Sequence, residues 1–520
     1  MAVNAAQASV KTVADPNASY ESLKPLWNKS RAVCSGERFV KDYDSAVDTL
    51  RFNNLLIPFS PTMTQQQYDF YKAEAELPGI TAQFSKMLIG GLLRKRPLLT
   101  LPDDAPAEAQ DWIMNQFGKD DASLSAFLDS ALWEEVQTSR AWVFVDYPKV
   151  NNPDELTKED LIKYKPYPVL YQAESIINWR IRSDKFGKSV LDRVIVRGYV
   201  EDFTENEFHA SFKDAVWVHE LNEAGNYQIR KYVRKDKETN IAVIAGQTQH
   251  NPSVKKVTVE LVETIVPQAN GAPLTIIPAW PLNGSIEALE PMLSPIIDKE
   301  VSLYNKLSRR NHLLYGAATY TPYIASDMPD EDFEEIVDGG LGTWIRLRQG
   351  DTAGVLETPT EALQDMDRAI AAAIEEMAKL GIRMLTPESS QSGVALEIRN
   401  AAQTAQLGTL NNKISAVMTQ VICFMINWKY DKSYTPSQIE FSLSADFNPI
   451  PLGADWLRLA TEWYEKGLIP RSVWLFMLKQ NDMVSPDYDD EAGKTEINGD
   501  QLLMPKGSDN FANDLMNQNK

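Results

Sequence analysis

The residue types that usually carry chemistry are thinly spread in this chain. Its four histidines, His209, His219, His250 and His312, show no HExxH spacing, which disfavours a zinc hydrolase. No G-x-S-x-G elbow is present, which disfavours an α/β-hydrolase. Gly493-Lys494-Thr495 imitates the end of a phosphate-binding loop. That loop needs a glycine five residues earlier, however, and Tyr488 stands there with no apolar strand before it. The acidic run Asp330, Glu331, Asp332, Glu334, Glu335 invites a metal, but calcium loops alternate Asp, Asn and Gly, and this run reads as a solvated helix. Cys34 and Cys423 are far apart and have no metal or redox spacing, so free, buried thiols in a cytosolic fold are expected. The residues therefore suggest no catalytic group, metal or cofactor.

One stretch is built to touch or to move rather than to react. Thr386, Pro387, Glu388, Ser389, Ser390, Gln391, Ser392 and Gly393 separate two strong helical patterns and include no His, Cys or Lys.

The elements around it read clearly. The first 165 residues are mostly helical, with Leu124, Phe127, Leu128, Ala131 and Leu132 on one face, followed by a strand at "RAWVFVDYP". Residues 168 to 280 hold short β-branched and aromatic runs, including "IAVIAG". In the last of these runs, "KKVTVELVETIV", Val257, Val259 and Leu261 alternate with Thr258 and Glu260, the period of a half-buried strand. A helix opens with Ser294 as N-cap and Pro295 in first position and runs to Gly316. A compact segment follows, with strand-like "TYTPYIA" and "TWIRLRQ". A second helix starts at "TPTE", where Thr358 caps, and Leu363, Met366, Ile370, Ala373, Met377 and Leu380 form a heptad seam that stops at Gly381.

A third helix, about Val394 to Trp428, keeps the seam through Leu407, Leu410, Ile414, Val417, Val421, Phe424 and Trp428 and is roughly 50 Å long. Gly408 and the Asn411-Asn412 pair mark a bend. "SQIEFSLSADFNP" then reads as a strand returning to the β-rich part. A helical pair turns at Gly467 and Pro470, and a polar, disordered tail begins at Ser485.

With 520 residues, 43% of them apolar and 24% charged, the composition is that of a soluble globular protein. Acidic residues number 72 against 52 basic ones, a net charge of −20, the opposite of a protein that grips phosphates tightly. The N-terminus lacks a signal-peptide core, and the most apolar helical stretches are too short and mixed to span a bilayer, so an intracellular protein without membrane contact is expected.

This order of parts resembles the portal protein of tailed bacteriophages. "IEALEPMLSPIIDKEVSLYNKLSRRNHLLYGAATYTPYIA" is similar to a portal stem entering the clip. "DRAIAAAIEEMAKLGIRMLTPESSQSGVALEIRNAAQTAQ" is similar to a stem helix, tunnel loop and resumed helix. "ADWLRLATEWYEKGLIPRSVWLFML" is similar to a crown start. "LWNKSRAVCSGERFVKDY" and "YDFYKAEAELPGITAQFSKMLIGGLLRKRPLLTLP" resemble a portal subfamily long catalogued as a domain of unknown function. The resemblance covers roughly residues 20 to 480, and after Gln480 no long helical barrel follows.

The resemblance implies an α+β fold. Its parts would be a helical N-terminal region and β-rich wing over 1–280, a first stem helix over 281–316, a clip over 317–357 and a second stem helix over 358–381. A tunnel loop over 382–393 would come next, then a long kinked helix and returning wing strand over 394–450, a short crown over 451–484 and a flexible tail over 485–520.

It also implies a non-enzymatic subunit of a homo-oligomeric ring, a dodecamer at one capsid vertex of the virion, assembled in the host cytoplasm. Double-stranded DNA would pass through the channel, and the major capsid protein, terminase motor and head-to-tail adaptor would be its partners. The tunnel loop, Thr386 and Glu388 to Gly393, would face DNA. Lys299, Lys306, Arg309 and Arg310 are stem channel candidates, either as weak phosphate rings or as subunit salt bridges. Asp330, Glu331, Asp332, Glu334, Glu335, Trp344, Arg346 and Arg348 are clip docking candidates. The alternatives are another ring-forming head–tail connector or tail component, or a nucleic-acid-processing enzyme, for which no carboxylate cluster or nucleotide site is evident.

Overall fold

The computed structural model describes residues 12–41, 55–148, 164–183, 187–202, 211–235, 258–269, 271–318, 321–329, 350–356, 361–379, 393–443 and 454–480, with single positions at 208, 334, 484, 488 and 493. The strand expected at "IAVIAG" and the Gly493-Lys494-Thr495 motif, apart from Gly493, lie outside them, as do His209 and His250. The chain divides into two units, Met1–Ala445 and Asp446–Lys520.

The first unit begins with helices whose ends are specified by side chains. In α1 (Ala18–Ser35) Asn17 caps the first turn by accepting from the Tyr20 N–H at 2.8 Å, and α2 is the short Glu37–Lys41. A capping box of Thr64 and Gln67 starts α3 (Gln65–Glu74). The next helices are α4 (Ile80–Leu92), α5 (Ala107–Asn115) after the short strand β1 (Leu98–Thr100), and α6 (Leu124–Thr138). Leu124, Leu128, Ala131 and Leu132 are fully buried, as their spacing predicts. The last turn of α6 is buried on all sides, Glu134 and Glu135 included.

Those two carboxylates form the joint between helices and sheet. Arg31 of α1 donates from Nη1 to Glu134 at 2.9 Å, and from Nε to Glu174 at 2.6 Å, where Glu174 precedes the large sheet. Glu134 also accepts from the Ala173 backbone N–H at 3.1 Å. Glu135 accepts from the Ala141 N–H at 2.9 Å, and burial pushes its carboxyl up to about 8. Beside it, the Arg140 guanidinium lies 4.0 Å from the centre of the Trp179 ring, and burial lowers its pKa to about 10.

The strands follow in two sheets. Strands β2 (Trp142–Asp146), β3 (Tyr167–Tyr171) and the later β11 (Ala279–Pro281) form one in the order β11-β2-β3. The larger is an antiparallel meander of β4 (Ile176–Ser183), β5 (Ser189–Asp202), β6 (Ser211–Leu221), β7 (Tyr227–Lys235) and β8 (Thr258–Ile265), in chain order. Gly198 in β5 is required by close approach, because a Cβ there would meet the Trp217 ring at 2.6 Å. The buried His219 ring shares a 2.7 Å hydrogen bond with Tyr227, and burial lowers its pKa to about 3, so it is neutral at physiological pH. In β8 the expected alternation fails: Leu261 is 48% exposed and its neighbour Val262 61%. β8 is the outermost strand, paired only with β7 through a register shift at Lys231/Tyr232, and neither of its faces is fully covered. Two dipeptide strands, β9 (Gln268–Ala269) and β10 (Ala272–Pro273), pair beyond it.

Next come α7 (Ser294–Ala318), β12 (Thr321–Ala325), β13 (Thr352–Leu356), α8 (Glu361–Lys379), α9 (Gly393–Tyr430) and β14 (Glu440–Ser442). One expectation changes here and one strand is added. The partner of β12 is β13, a strand the sequence did not single out, while "TWIRLRQ" lies outside the described residues. β14 pairs with β1 in the helical part rather than with the large sheet. The helix α9 is continuous through Gly408 and the asparagine pair. Asn411 clasps β14: its Nδ2 donates to the Leu443 carbonyl at 3.3 Å, and Ser415 Oγ accepts from the Leu443 N–H at 3.1 Å.

The heptad positions of α9 are buried, except for a half-buried Phe424, but so are Met418, Ile422, Cys423, Met425 and Ile426 between them. Its C-terminal half is therefore core on nearly every side, held between α4, β2, β11 and β14. Phe424 meets Trp280 at 5.4 Å between ring centres, and Trp428 meets Tyr147 at 5.3 Å. Cys34 and Cys423 are free and buried, as expected.

The second unit contains the expected helical pair, α10 (Ala454–Glu465) and α11 (Arg471–Gln480). Gly467, at φ +69°, makes the corner, and Tyr464 stacks on Trp474 at 4.9 Å. The fold is mixed, with helices and sheets segregated along the chain, an α+β arrangement.

Candidate functional site

The part of the molecule that stands out is the hairpin made by α7, β12, β13 and α8. Two ion pairs join the helices: Lys299 with Glu376, and Arg310 Nε with Asp367 at 2.6 Å. As the α7 number rises, the α8 number falls, so the helices are antiparallel. The strands continue the same register, from Thr321 opposite Leu356 to Ala325 opposite Thr352. One long two-stranded element results, helical at its base and β at its far end.

The body holds α7 firmly. Glu300, fully buried, accepts the N–H groups of Ile80 at 2.8 Å and Thr81 at 2.7 Å, supplying the N-cap that α4 lacks. Asn305 donates to the Leu55 carbonyl at 3.0 Å and accepts from the Ile57 N–H at 2.8 Å. Further along, His312 lies between Phe59 and Tyr71, with ring centres 4.9 and 5.2 Å away, and Tyr315 meets Phe70 at 5.3 Å. Leu303 and Tyr304 are buried.

α8 is held far less. The seam predicted for it is real, since Ile370, Ala373 and Met377 are buried with Leu363 and Met366 half-buried, while Leu380 lies outside the described residues. The rest of the helix is exposed: Asp365, Asp367, Arg368, Ala369, Ala371, Ala372, Glu375 and Glu376, along with Ile374 at 48%. Small side chains and ion-paired charges thus present an uncovered face on one side of the hairpin, where Asp365 pairs with Arg368, Asp367 with Arg310 and Glu376 with Lys299.

The four stem cations divide by this geometry. Lys299 and Arg310 point to α8 acids of the same chain. Arg309 lies against Tyr71, whose hydroxyl burial raises and Arg309 lowers, and Lys306 is half-buried. The structure thus brings two of the four into intrachain pairs. Of the clip candidates, Glu334 is exposed, and Asp330, Glu331, Asp332, Glu335, Trp344, Arg346 and Arg348 lie outside the described residues. Of the loop candidates, Gly393 is the first residue of α9, and Thr386, Glu388, Ser389, Ser390, Gln391 and Ser392 lie outside.

Sequence reasoning did not pick out Glu376, Asp367, Glu300 or Asn305. Charges of opposite sign on two predicted helices gave a signal for the first two. A cap on α4 arriving from 220 residues away gave none. Among the described residues, no three His, Cys, Asp or Glu side chains gather where a metal could be held, and no helix is long and apolar enough to cross a membrane.

Residues 292–429, which are the hairpin and all of α9 but its last residue, match a family described as "Domain of unknown function (DUF4055)". No curated protein matches the chain. Among solved structures the chain is similar, at 10% identity, to a chain of the "Virion of native gene transfer agent (GTA) particle", covering 75% of this chain and 85% of that one with a TM-score of 0.34. It is also similar to a chain of the "Neck of empty GTA particle computed with C6 symmetry", again at 10% identity, with 76% and 89% covered and a TM-score of 0.36.

Proposed function

We propose that this chain is a portal-type subunit of a tailed phage or phage-like particle, a structural protein that closes into a ring around passing double-stranded DNA. The observation that carries the reading is the hairpin, in which α7 is anchored to the body and α8 packs on it along one seam and leaves a face of small, polar and ion-paired side chains uncovered. In a ring, α7 and α8 form the stem, residues 317–357 the clip, 382–393 the tunnel loop and α10 with α11 the crown. Contacts of unlike faces that close on themselves build such a ring. A net charge of −20 suits a conduit, because phosphates slide past a surface that does not bind them.

On this reading Lys299 and Arg310 stiffen the stem by pairing within the subunit, Arg309 packs against Tyr71 of the body, and Lys306 is the candidate to meet phosphate or a neighbour. The tunnel loop, Thr386 and Glu388 to Gly393, lies near DNA, and the clip acids with Trp344, Arg346 and Arg348 dock the packaging motor and later the adaptor. A separate ATPase supplies the energy. Sedimentation of the full chain over a range of concentrations tests the proposal: a discrete large oligomer supports it, and a monomer at every concentration contradicts it.

A further inference from the structure

Phe59, His312, Tyr315 and Phe70 form a connected strip of rings where the hairpin leaves the body. Phe59 lies 4.9 Å from His312 between ring centres, His312 stands one helical turn before Tyr315, and Tyr315 meets Phe70 at 5.3 Å. Phe70 of α3 is 46% exposed and Tyr315 of α7 49%, and Ile57 and Pro58 next to Phe59 are exposed as well. Apolar side chains gathered in this way mark an interface, whereas scattered ones do not. The position of the strip narrows what covers it. Lys299 and Arg310, which reach α8, share one side of α7, about 20° apart at 3.6 residues per turn. His312 and Tyr315 lie about 140–160° round the helix from both. The strip and α8 therefore stand on opposite sides of α7. On α8, Ile374 is exposed with exposed Ala371 one turn before it, and both lie between the levels of the two ion pairs. Asn305, which accepts from the Ile57 N–H, lies between those levels too.

We propose that the strip receives the Ile374 side of α8 from a second copy of this chain. The inference rests on the ring reading and names the two faces that meet in it. A ring closes by rotation alone, with no rise along its axis. For an axis along the hairpin, its contact faces must be unlike, lie on opposite sides of the subunit and sit at overlapping levels. The strip and the Ile374 side meet each condition. They also complement one another in shape: bulky rings project from one face, and the small side chain of Ala371 beside Ile374 leaves room on the other. The acids next to Ile374 do not oppose the contact, because Asp367 and Glu376 are paired with Arg310 and Lys299 of their own chain, and an approaching apolar face leaves neither unpaired.

The test is sedimentation of full-length Phe70→Glu, of Ile374→Glu and of their equimolar mixture. Leu98→Glu, at an exposed apolar residue outside both faces, is the control, and thermal melts establish that each variant is folded. Tyr315→Gln or Ala371→Gln replaces a variant that melts early. Each interface variant is expected to need at least about tenfold more protein than wild type to assemble. The mixture is expected to form dimers and stop there. The intact α8 side of the Phe70→Glu chain meets the intact strip of the Ile374→Glu chain, and every other junction is spoiled. Assembly of either variant at wild-type concentrations overturns the inference and leaves the ring reading standing, as does a mixture that stays monomeric. An equal loss in Leu98→Glu also overturns it, since any added charge would then prevent assembly. Wild-type protein that is monomeric at every concentration overturns both.

Discussion

At the scale of single residues the structure turns on a few buried charges. Arg31 is 7% exposed and satisfies both Glu134 and Glu174, and removing it leaves two carboxylates without their cation in the joint between helices and sheet. Arg31→Ala is expected to destabilise the protein by about 3–5 kcal/mol, measured by urea denaturation. Glu135 gives a pH signature. Its folded pKa, about 8, lies above the ordinary carboxylate value, so the stability tied to its neutral form is fully present below about pH 4.5 and lost as pH rises through 8. Melts of Glu135→Gln should therefore fall less than those of wild type between pH 5 and pH 8, and parallel curves would contradict the assignment. None of these roles was legible in the sequence. Glu134 and Glu135 continue an amphipathic helix as ordinary surface acids would, and the partners that change the meaning of Glu134, Arg31 and the Ala173 N–H, arrive from 103 and 39 positions away.

At the scale of elements, periodicity was a good guide wherever one neighbour decided burial. The α8 seam and the face of α6 lie where their spacing puts them. It was a poor guide where several neighbours met. α9 carries a heptad, yet four elements enclose its second half and bury the residues between the heptad positions too. β14 carries the pattern of a strand, but a pattern has no address, and its partner is β1. The ribbon strand β13, "TAGVL", is too short and small to announce itself. Two predictions belong here. Gly198→Val pushes a side chain into the Trp217 ring and is expected to cost about 1–3 kcal/mol, with near-ultraviolet circular dichroism reporting the displaced tryptophan. A double-mutant cycle on Arg310 and Asp367 should give a coupling of about 0.2–1 kcal/mol, since both side chains are partly exposed and salt weakens the pair. The pair fixes the register of the α7–α8 hairpin more than its stability.

At the scale of the whole molecule, several large apolar side chains stay in contact with solvent among the described residues. Large apolar side chains are exposed on β8 at Leu261 and Val262, and within α8 at Ile374; in the second unit Leu468 is 68% exposed. On the proposed reading such surfaces have a use, because a ring would bury apolar patches between copies. The order of parts was legible in the sequence because each part has its own pattern. The surfaces were not, because whether a face is exposed depends on which elements stop short of it. The most direct test of the account is electron microscopy of the purified full-length protein, with averages viewed along any symmetry axis. The account predicts rings with an open central channel whose wall is formed by α8. Compact particles without rotational symmetry, at concentrations where the protein is folded, would contradict it.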